Sequence, residues 1–424
     1  MLEEILDFRN ITKAHKQVVS NKGAAGVDGM QTDELRDFLN TAWPRLKSDI
    51  LQGHYKPQPV LKVEIPKAGG GKRMLGIPTV IDRVIQQAIS QWLSPKYDSS
   101  FSKNSYGFRK AHSAHQAVVQ AREYLNAGKV WVVELDLEKF FDRVNHDKLI
   151  SLLSRRISDK RVLGLLRTYL GNGIMEGGVV SPRLSGTPQG SPLSPLLSNI
   201  LLHELDTVLE MRGHSFIRYA DDCSIYVSSR KAAERVMSKV TVYIEQELKL
   251  KVNKEKTKVS YGAASELLGF SFYRRKGGWI TRISTTAVKR MKAKVRGLTM
   301  RKSTQPLNEI INKLQTVIRG WVEYFRLGQA KSIMIRLDAL VQTRLRMRIW
   351  KQWKHPGARQ KNLIKLGVGK KQARMWSNSN KGYCRMANSK VLLTTLNRDY
   401  FLRRGYIGFH NYYYWRTTHQ TKLF

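Results

Sequence analysis

A chain of 424 residues with 42% hydrophobic content can build two or three domains with real cores, which excludes a wholly disordered protein. Its formal charge of +41, from 74 Lys and Arg against 33 Asp and Glu, calls for a polyanionic partner, nucleic acid ahead of an anionic membrane. No apolar run approaches roughly 18 residues, the opening MLEEILDFRN lacks the basic and apolar regions of a signal peptide, and the two cysteines, Cys223 and Cys384, are too few for a disulfide framework or zinc cluster. A cytosolic protein is therefore expected. The charge is uneven: residues 1–288 hold 43 Lys/Arg against 29 Asp/Glu, whereas residues 289–424 hold 31 against 4.

Along the chain, VLKVEIPKAGGGKRMLGI (60–77) predicts two strands joined by a glycine-rich turn ringed by Lys67, Lys72 and Arg73. It is either a solvated basic hairpin or a tip whose cations and N–H groups hold phosphates; the P-loop spacing is missing. In IDRVIQQAISQWL, the residues Ile81, Val84, Ile85, Ala88, Ile89, Trp92 and Leu93 share a helical face and read as core. A loop carrying Arg109 and a second amphipathic helix follow, where His112 and His115 lack the neighbours of a metal site. Residues 130–135 form a near-continuous apolar strand, expected to be buried on both faces, that ends at Asp136. Such a position is either a turn aspartate or the active-site edge of an open sheet. GTPQGSPLSPLLSNILLHEL then supplies a Pro/Gly loop entering a helix faced by Leu193, Leu196, Leu197, Ile200 and Leu201. Its glycines permit close approach by a ligand; the plainer reading is a helix start capped by Ser191 or Ser194.

FIRYADDCSIYVS (216–228) reads as strand, two-residue turn and strand, with Asp221 and Asp222 at the tip. Adjacent like charges repel, and Asn-Gly or Asp-Gly is the preferred turn, so an Asp-rich turn is a poor explanation. If this hairpin neighbours the strand ending at Asp136, three carboxylates meet at one sheet edge, a costly arrangement unless divalent cations sit there. Hard oxygen ligands select Mg²⁺, and two such ions can activate a hydroxyl and stabilise a leaving pyrophosphate. From about 287 the chain becomes basic helices, one with Leu307, Ile310, Ile311, Leu314, Val317, Ile318, Trp321 and Phe325 at helical spacing. From about 355, Lys and Arg mix with Trp376, Tyr383, Tyr400, Phe401, Tyr406, Phe409 and YYYW (412–415). That mixture suits backbone neutralisation and base stacking, or an aromatic core, or both.

Tyr-Ala-Asp-Asp in a hairpin, preceded by LDLEKFFD and GTPQGSPLSPLLSNI, resembles a reverse transcriptase. NKGAAGVDG (21–29), IPKAGGGKRMLGIP (65–78), SYGFR (105–109), LKVNKEKT (250–257) and LLGFSF (267–272) are similar, in order, to blocks of bacterial group II intron reverse transcriptases, or maturases. The resemblance implies an α+β right hand: fingers and palm over 1–286, an α-helical thumb or maturase domain over 287–355, and a small basic DNA-binding domain over 356–424. It implies RNA-directed DNA synthesis with two Mg²⁺ ions (Mn²⁺ as substitute), and assistance to intron splicing and mobility. The implied partners are group II intron RNA, an RNA template with DNA primer, target DNA and dNTPs, in the bacterial cytoplasm without a membrane. Carried onto matching residues, Asp136, Asp221 and Asp222 hold the metals with the Leu137 carbonyl, and Phe141 stacks under the incoming sugar. Lys67 and Arg73 grip the triphosphate, Gln189 and Gly190 line the nucleotide pocket, LLGFSF forms the primer grip, and Lys256 protonates pyrophosphate, with Lys254 and Lys258 as competitors. Ser191 stands where many relatives carry glycine. The chain reaches Phe424 without a Cys/His-rich module, as in the compact class lacking an endonuclease, which primes from existing DNA ends. Competing expectations are a splicing factor with a relic polymerase site and a polymerase recruited to defence or repair.

Overall fold

Strands form where branched and aromatic residues alternate or run together, and eleven are present among the described residues, which in this computed structural model are 1–66, 71–182, 185–301 and 304–418. In chain order they are β1 (Val60–Pro66), β2 (Lys72–Ile77), β3 (Trp131–Leu135), β4 (Ile174–Glu176), β5 (Val179–Ser181), β6 (Ser215–Tyr219), β7 (Asp222–Val227), β8 (Lys258–Tyr261), β9 (Glu266–Leu267), β10 (Phe270–Arg275) and β11 (Gly278–Ile283). The chain divides into two compact units of mixed helix and sheet, Met1–Ser265 and Glu266–Phe424.

The first unit contains two four-stranded sheets. One has the order β2-β1-β4-β5, with β1 antiparallel to β2 and parallel to β4. Its two edges differ: β2 begins with exposed Lys72 and Arg73, while β5 is three residues long and exposes Val179 and Val180. The other sheet has the order β6-β7-β3-β8, all pairs antiparallel. Val132 and Val133, consecutive on β3, are both buried, so both faces of this central strand are covered, as the apolar run predicts. Helices Ala114–Asn126, Ser194–Met211 and Arg230–Gln246 pack on this sheet.

The local signals explain the helix starts. Helix Val80–Asp98 is capped by the Thr79 hydroxyl, which accepts from Asp82 N–H, and Ala114–Asn126 opens with a reciprocal Ser113/Gln116 capping box. Of the predicted face on the first, Val84, Ile85, Ala88, Ile89 and Leu93 are buried and Ile81 and Trp92 half-buried.

In the second unit β9, β10 and β11 form one sheet, followed by helices Thr285–Leu298, Leu307–Phe325 and Lys331–Gln352. This boundary precedes the compositional change at 287 because Phe270 packs against Tyr324 and Phe325, with ring centroids 5.7 and 5.0 Å apart. Five short helices and Phe409–Thr418 complete the unit. Asp338 binds the start of the last of these to the long helix: its carboxylate accepts from Tyr406 Oη at 2.5 Å, Phe409 N–H at 2.7 Å and His410 N–H at 2.9 Å. Buried Arg346 and Arg348 donate to main-chain carbonyls at helix ends: Arg346 to Ala387 (2.7 Å) and Leu396 (3.2 Å), Arg348 to Met300 (2.8 Å). Phe401, Tyr406 and Phe409 are core, as one of the two expectations for the tail's aromatics has it, whereas Tyr414 and Trp415 are exposed.

Candidate active site

The β6–β7 ladder closes on the pair Tyr219↔Asp222. The two-residue turn is therefore Ala220–Asp221, which corrects the expectation that the aspartate doublet itself is the turn: Asp222 is the first residue of β7. Ala220 adopts φ +59°, the left-handed conformation that costs a residue with a Cβ, and this shifts the turn back by one. On the other side of β7 the ladder runs from Trp131↔Val227 to Leu135↔Cys223, so one further step brings Asp136 opposite Asp222.

The stretch after β3 is fixed from the opposite side. Asn253 N–H donates to the Asp136 carbonyl and Glu138 N–H to the Lys251 carbonyl, both at 2.8 Å, and Leu137 bridges to Val252. The Thr257 hydroxyl accepts from Asp136 N–H at 3.1 Å. LKVNKEKT thus acts as the brace that holds Asp136 and Leu137 at the sheet edge. It also separates the three candidate lysines. Lys256 Nζ lies 3.5 Å from the Asp136 carboxylate, Lys258 is paired with Glu134 at 3.1 Å, and Lys254 is exposed.

Asp221 and Asp222 both feel the charge of Asp136. Burial raises the Asp221 carboxyl above its ordinary value and Asp136 adds to this, while Arg73 and Arg218 pull it down. Burial, then Asp221 and Asp136, push the Asp222 carboxyl up to about 6, with Lys256 opposing. Asp222 stays open to solvent at the strand tip, so water screens part of that effect. Among the described residues no group of three or more His, Cys, Asp or Glu side chains is placed to hold a metal ion by itself. What the sheet edge does show is neighbouring carboxylates that repel one another when ionised, a repulsion that a cation would relieve.

Beside the aspartates lies a cleft of about 490 Å³ whose lining includes Arg73, Phe141, Gln189, Gly190 and Asp221. Arg73 Nε donates to Gln189 Oε1 at 2.6 Å, and Gly76 N–H donates to the Gln189 carbonyl at 2.9 Å, which stitches β2 to the Pro/Gly loop. At Gly190, φ is +116° and a Cβ would come 3.0 Å from the Gly76 carbonyl, so only glycine fits without strain. Phe140 and Phe141, an edge-on ring pair 5.2 Å apart, are both buried in the core, and of the two Phe141, at 8% exposure, also lines this cleft. Asp136, Leu137, Asp221, Asp222 and Lys256 are thus gathered at the sheet edge, and Arg73, Phe141, Gln189 and Gly190 at the cleft. Lys67 lies outside the described residues. The helix after the Pro/Gly loop starts at Ser194 with Leu193 in the capping position, and the Ser191 hydroxyl accepts from Leu193 N–H at 3.2 Å.

Sequence reasoning missed a buried polar group under the hairpin. Arg218 and Asp206 are both fully buried; the guanidinium donates to the two carboxylate oxygens at 2.7 and 2.6 Å. It also donates to Asn199 Oδ1 at 2.8 Å and to the Ala220 carbonyl at 3.0 Å. The signal was available: Arg218 shares the face of Phe216 and Ala220 in a strand that has to be buried, so a cation there needs a buried acceptor. Arg83, whose Nη2 donates to the Ala24 carbonyl at 2.6 Å and which also lines the cleft, was missed as well.

Residues 65–317 match the family model for reverse transcriptase (RNA-dependent DNA polymerase), and residues 288–367 match that for the group II intron maturase-specific domain. Protein YkfC of Escherichia coli (strain K12) is 34% identical over 291 residues, 59% of this chain and 76% of that protein. Group II intron-encoded protein LtrA of Lactococcus lactis subsp. cremoris is 28% identical over 335 residues, 63% of this chain and 56% of its own length. The chain thus spans just over half of LtrA.

Proposed function

The chain belongs to the reverse transcriptase family of RNA-dependent DNA polymerases, with a group II intron maturase-specific domain, and from that premise we propose that it extends a DNA primer on an RNA template and assists an intron RNA in splicing and mobility. The observation that carries this reading is the strand register that sets Asp136 opposite Asp222, next to Asp221, at the mouth of a nucleotide-sized cleft.

Asp136, Asp221 and Asp222, with the Leu137 carbonyl, are the residues that would hold two Mg²⁺ ions, with Mn²⁺ as a substitute. The raised carboxyls of Asp221 and Asp222 fit that assignment, because crowded carboxylates gain most from a cation. When bound, such a pair supplies activation of the primer hydroxyl and charge stabilisation on the leaving pyrophosphate. Arg73, with Lys67, binds the triphosphate, and the Arg73–Gln189 hydrogen bond sets its approach. Phe141 forms the floor beneath the sugar and excludes a 2′-hydroxyl, while Gln189 and Gly190 leave room for base and template. Lys256, the lysine nearest the carboxylates, delivers a proton to pyrophosphate.

Residues 1–286 act as fingers and palm, 287–355 as the helical thumb that grips primer and intron RNA, and 356–424 as a DNA-binding domain for the target. Support for the last comes from a cleft of about 940 Å³ whose lining includes Lys365, Lys390, Arg403 and Arg404 with Trp376 and Tyr400, cations for phosphates and rings for bases. No helix among the described residues is long and apolar enough to cross a membrane, and we place the protein in the bacterial cytoplasm with its RNA. The test is extension of oligo(dT) on poly(rA) with dTTP and Mg²⁺, run beside an Asp222→Asn control. Template-dependent extension by the native protein alone is expected; its absence would overturn the assignment.

A further inference from the structure

We propose that Arg218, Asp206 and Asn199 are positioning residues for the metal-binding aspartates, a role that rests on the reading of Asp221 and Asp222 given above. The Ala220 carbonyl belongs to the peptide that leads directly into Asp221, and it is held by Arg218 Nη1 at 3.0 Å. Arg218 in turn has no freedom. Asp206 takes its Nε and Nη2, Asn199 shares its Nη1, and all three side chains are essentially inaccessible to water.

A second set of contacts, from the chain segment ahead of helix Ala114–Asn126, reaches the Arg218 backbone, Asn199 and the start of the turn. Arg218 N–H donates to the Asn104 carbonyl at 2.9 Å, and Tyr106 N–H donates to the Arg218 carbonyl at 2.8 Å. Asn199 Nδ2 donates to the Gly107 carbonyl at 2.9 Å. Gly107 presses so closely on the turn that a Cβ there would stand 2.2 Å from Ala220 N. The turn is therefore clamped between a buried guanidinium and a glycine backbone, and between them these keep Ala220 in its left-handed conformation.

A buried ion pair is by itself weak evidence of a role in stability. Taking two charges out of water costs about as much as their attraction returns, and well-packed apolar side chains of similar volume do as well or better. What apolar side chains cannot do is donate to Asn199 and to the Ala220 carbonyl at once. The bracket fixes the direction in which two successive carboxylates leave the turn, and hard divalent cations reward that direction steeply.

The experiment compares Arg218→Met/Asp206→Leu, Asn199→Ala and the native protein for thermal midpoint, template-primer affinity, kcat and the Mg²⁺ concentration giving half-maximal extension. The double variant is expected to fold and bind template-primer normally, with kcat lowered about 10- to 100-fold, the scale of a 1 Å misplacement. Its half-saturating Mg²⁺ should rise at least about threefold, because the ligands no longer converge unaided. Asn199→Ala should show the same two changes, smaller in size. A folded double variant with native kcat and native Mg²⁺ requirement overturns the proposal. If the double variant does not fold, Asn199→Ala decides: a fall in kcat that merely tracks lost folded protein, at unchanged Mg²⁺ requirement, overturns it equally. A native protein that extends no primer removes the reading of the aspartates first, and this proposal with it.

Discussion

The two units use charge in opposite ways. Met1–Ser265 holds 39 Lys/Arg and 28 Asp/Glu; Glu266–Phe424 holds 35 and 5. In the first, acids are structural and chemical parts: Asp206 neutralises a buried arginine, and Asp136, Asp221 and Asp222 gather at a sheet edge. In the second, two of the five acids hold the fold. Asp338 ties Tyr406, Phe409 and His410 to the long helix, and Glu323 receives Tyr412 at 2.9 Å and Arg416. Its buried arginines take carbonyl partners instead of carboxylates, and with 35 cations to 5 acids most of its cations have no acid of their own unit to pair with. Locally concentrated negative charge suits the holding of cations, while a surface kept poor in negative charge suits a polyanion.

The sharpest way to break this comparison is at the doublet. Asp221→Asn or Asp222→Asn should lower primer extension by on the order of a thousandfold while RNA affinity stays native, since the cations of the second unit are untouched. Extension near the native rate by either variant would sink the assignment of the first unit's acids. Next is the cleft. Phe141→Ala should admit ribonucleotides, shifting rNTP against dNTP kcat/KM by roughly 30- to 1,000-fold. Phe140→Ala should instead cost about 3–5 kcal/mol of stability without changing sugar choice. Single-nucleotide insertion by both variants reads this out, and a reversed pattern would make Phe140 the gate.

For the second unit, truncation at 356 is a poor probe, because it strips Arg346 of its acceptors at Ala387 and Leu396 and uncaps Asp338. Neutralising Lys365, Lys390, Arg403 and Arg404 to Gln keeps the side-chain stems, and all four are exposed. The slope of log affinity against log salt for duplex DNA should flatten by up to about 3.5 units, with extension on a short RNA template unaffected. An unchanged slope would mean the cleft makes no phosphate contact. The smallest effect is expected at Asp338→Asn, which weakens three hydrogen bonds and should cost about 1–3 kcal/mol, seen as a lower melting midpoint. A native midpoint would show that this acid does not hold the unit together.

Most of the site's membership could be read from residue type and order. The alternation in 216–228 reports a hairpin, and the apolar run before Asp136 reports a central strand, because periodicity records which faces are covered. Periodicity does not record partners. Nothing in the sequence says that β8 flanks β3, that residues 251–253 brace Asp136 and Leu137, or that Asp206 sits beneath Arg218. Short strands such as β4 and β5 escape detection because three residues hold less than two periods. The turn's displacement to Ala220 was hidden for a different reason: left-handed backbone at an alanine is enforced by Gly107 and Arg218 from elsewhere in the chain.

The unequal edges of the first sheet bear on how the protein behaves at high concentration. At β5, Val179 is 69% exposed and Val180 48%, beside main-chain groups that face away from β4. Such an edge is a template for a strand from another chain, and shortness is its main protection. Lengthening β5, or replacing the Gly177–Gly178 turn by one that holds the strands flatter, would invite edge-to-edge aggregation. Val180→Lys would repel it at little expense to the fold, and is the change to make first when the protein precipitates during purification.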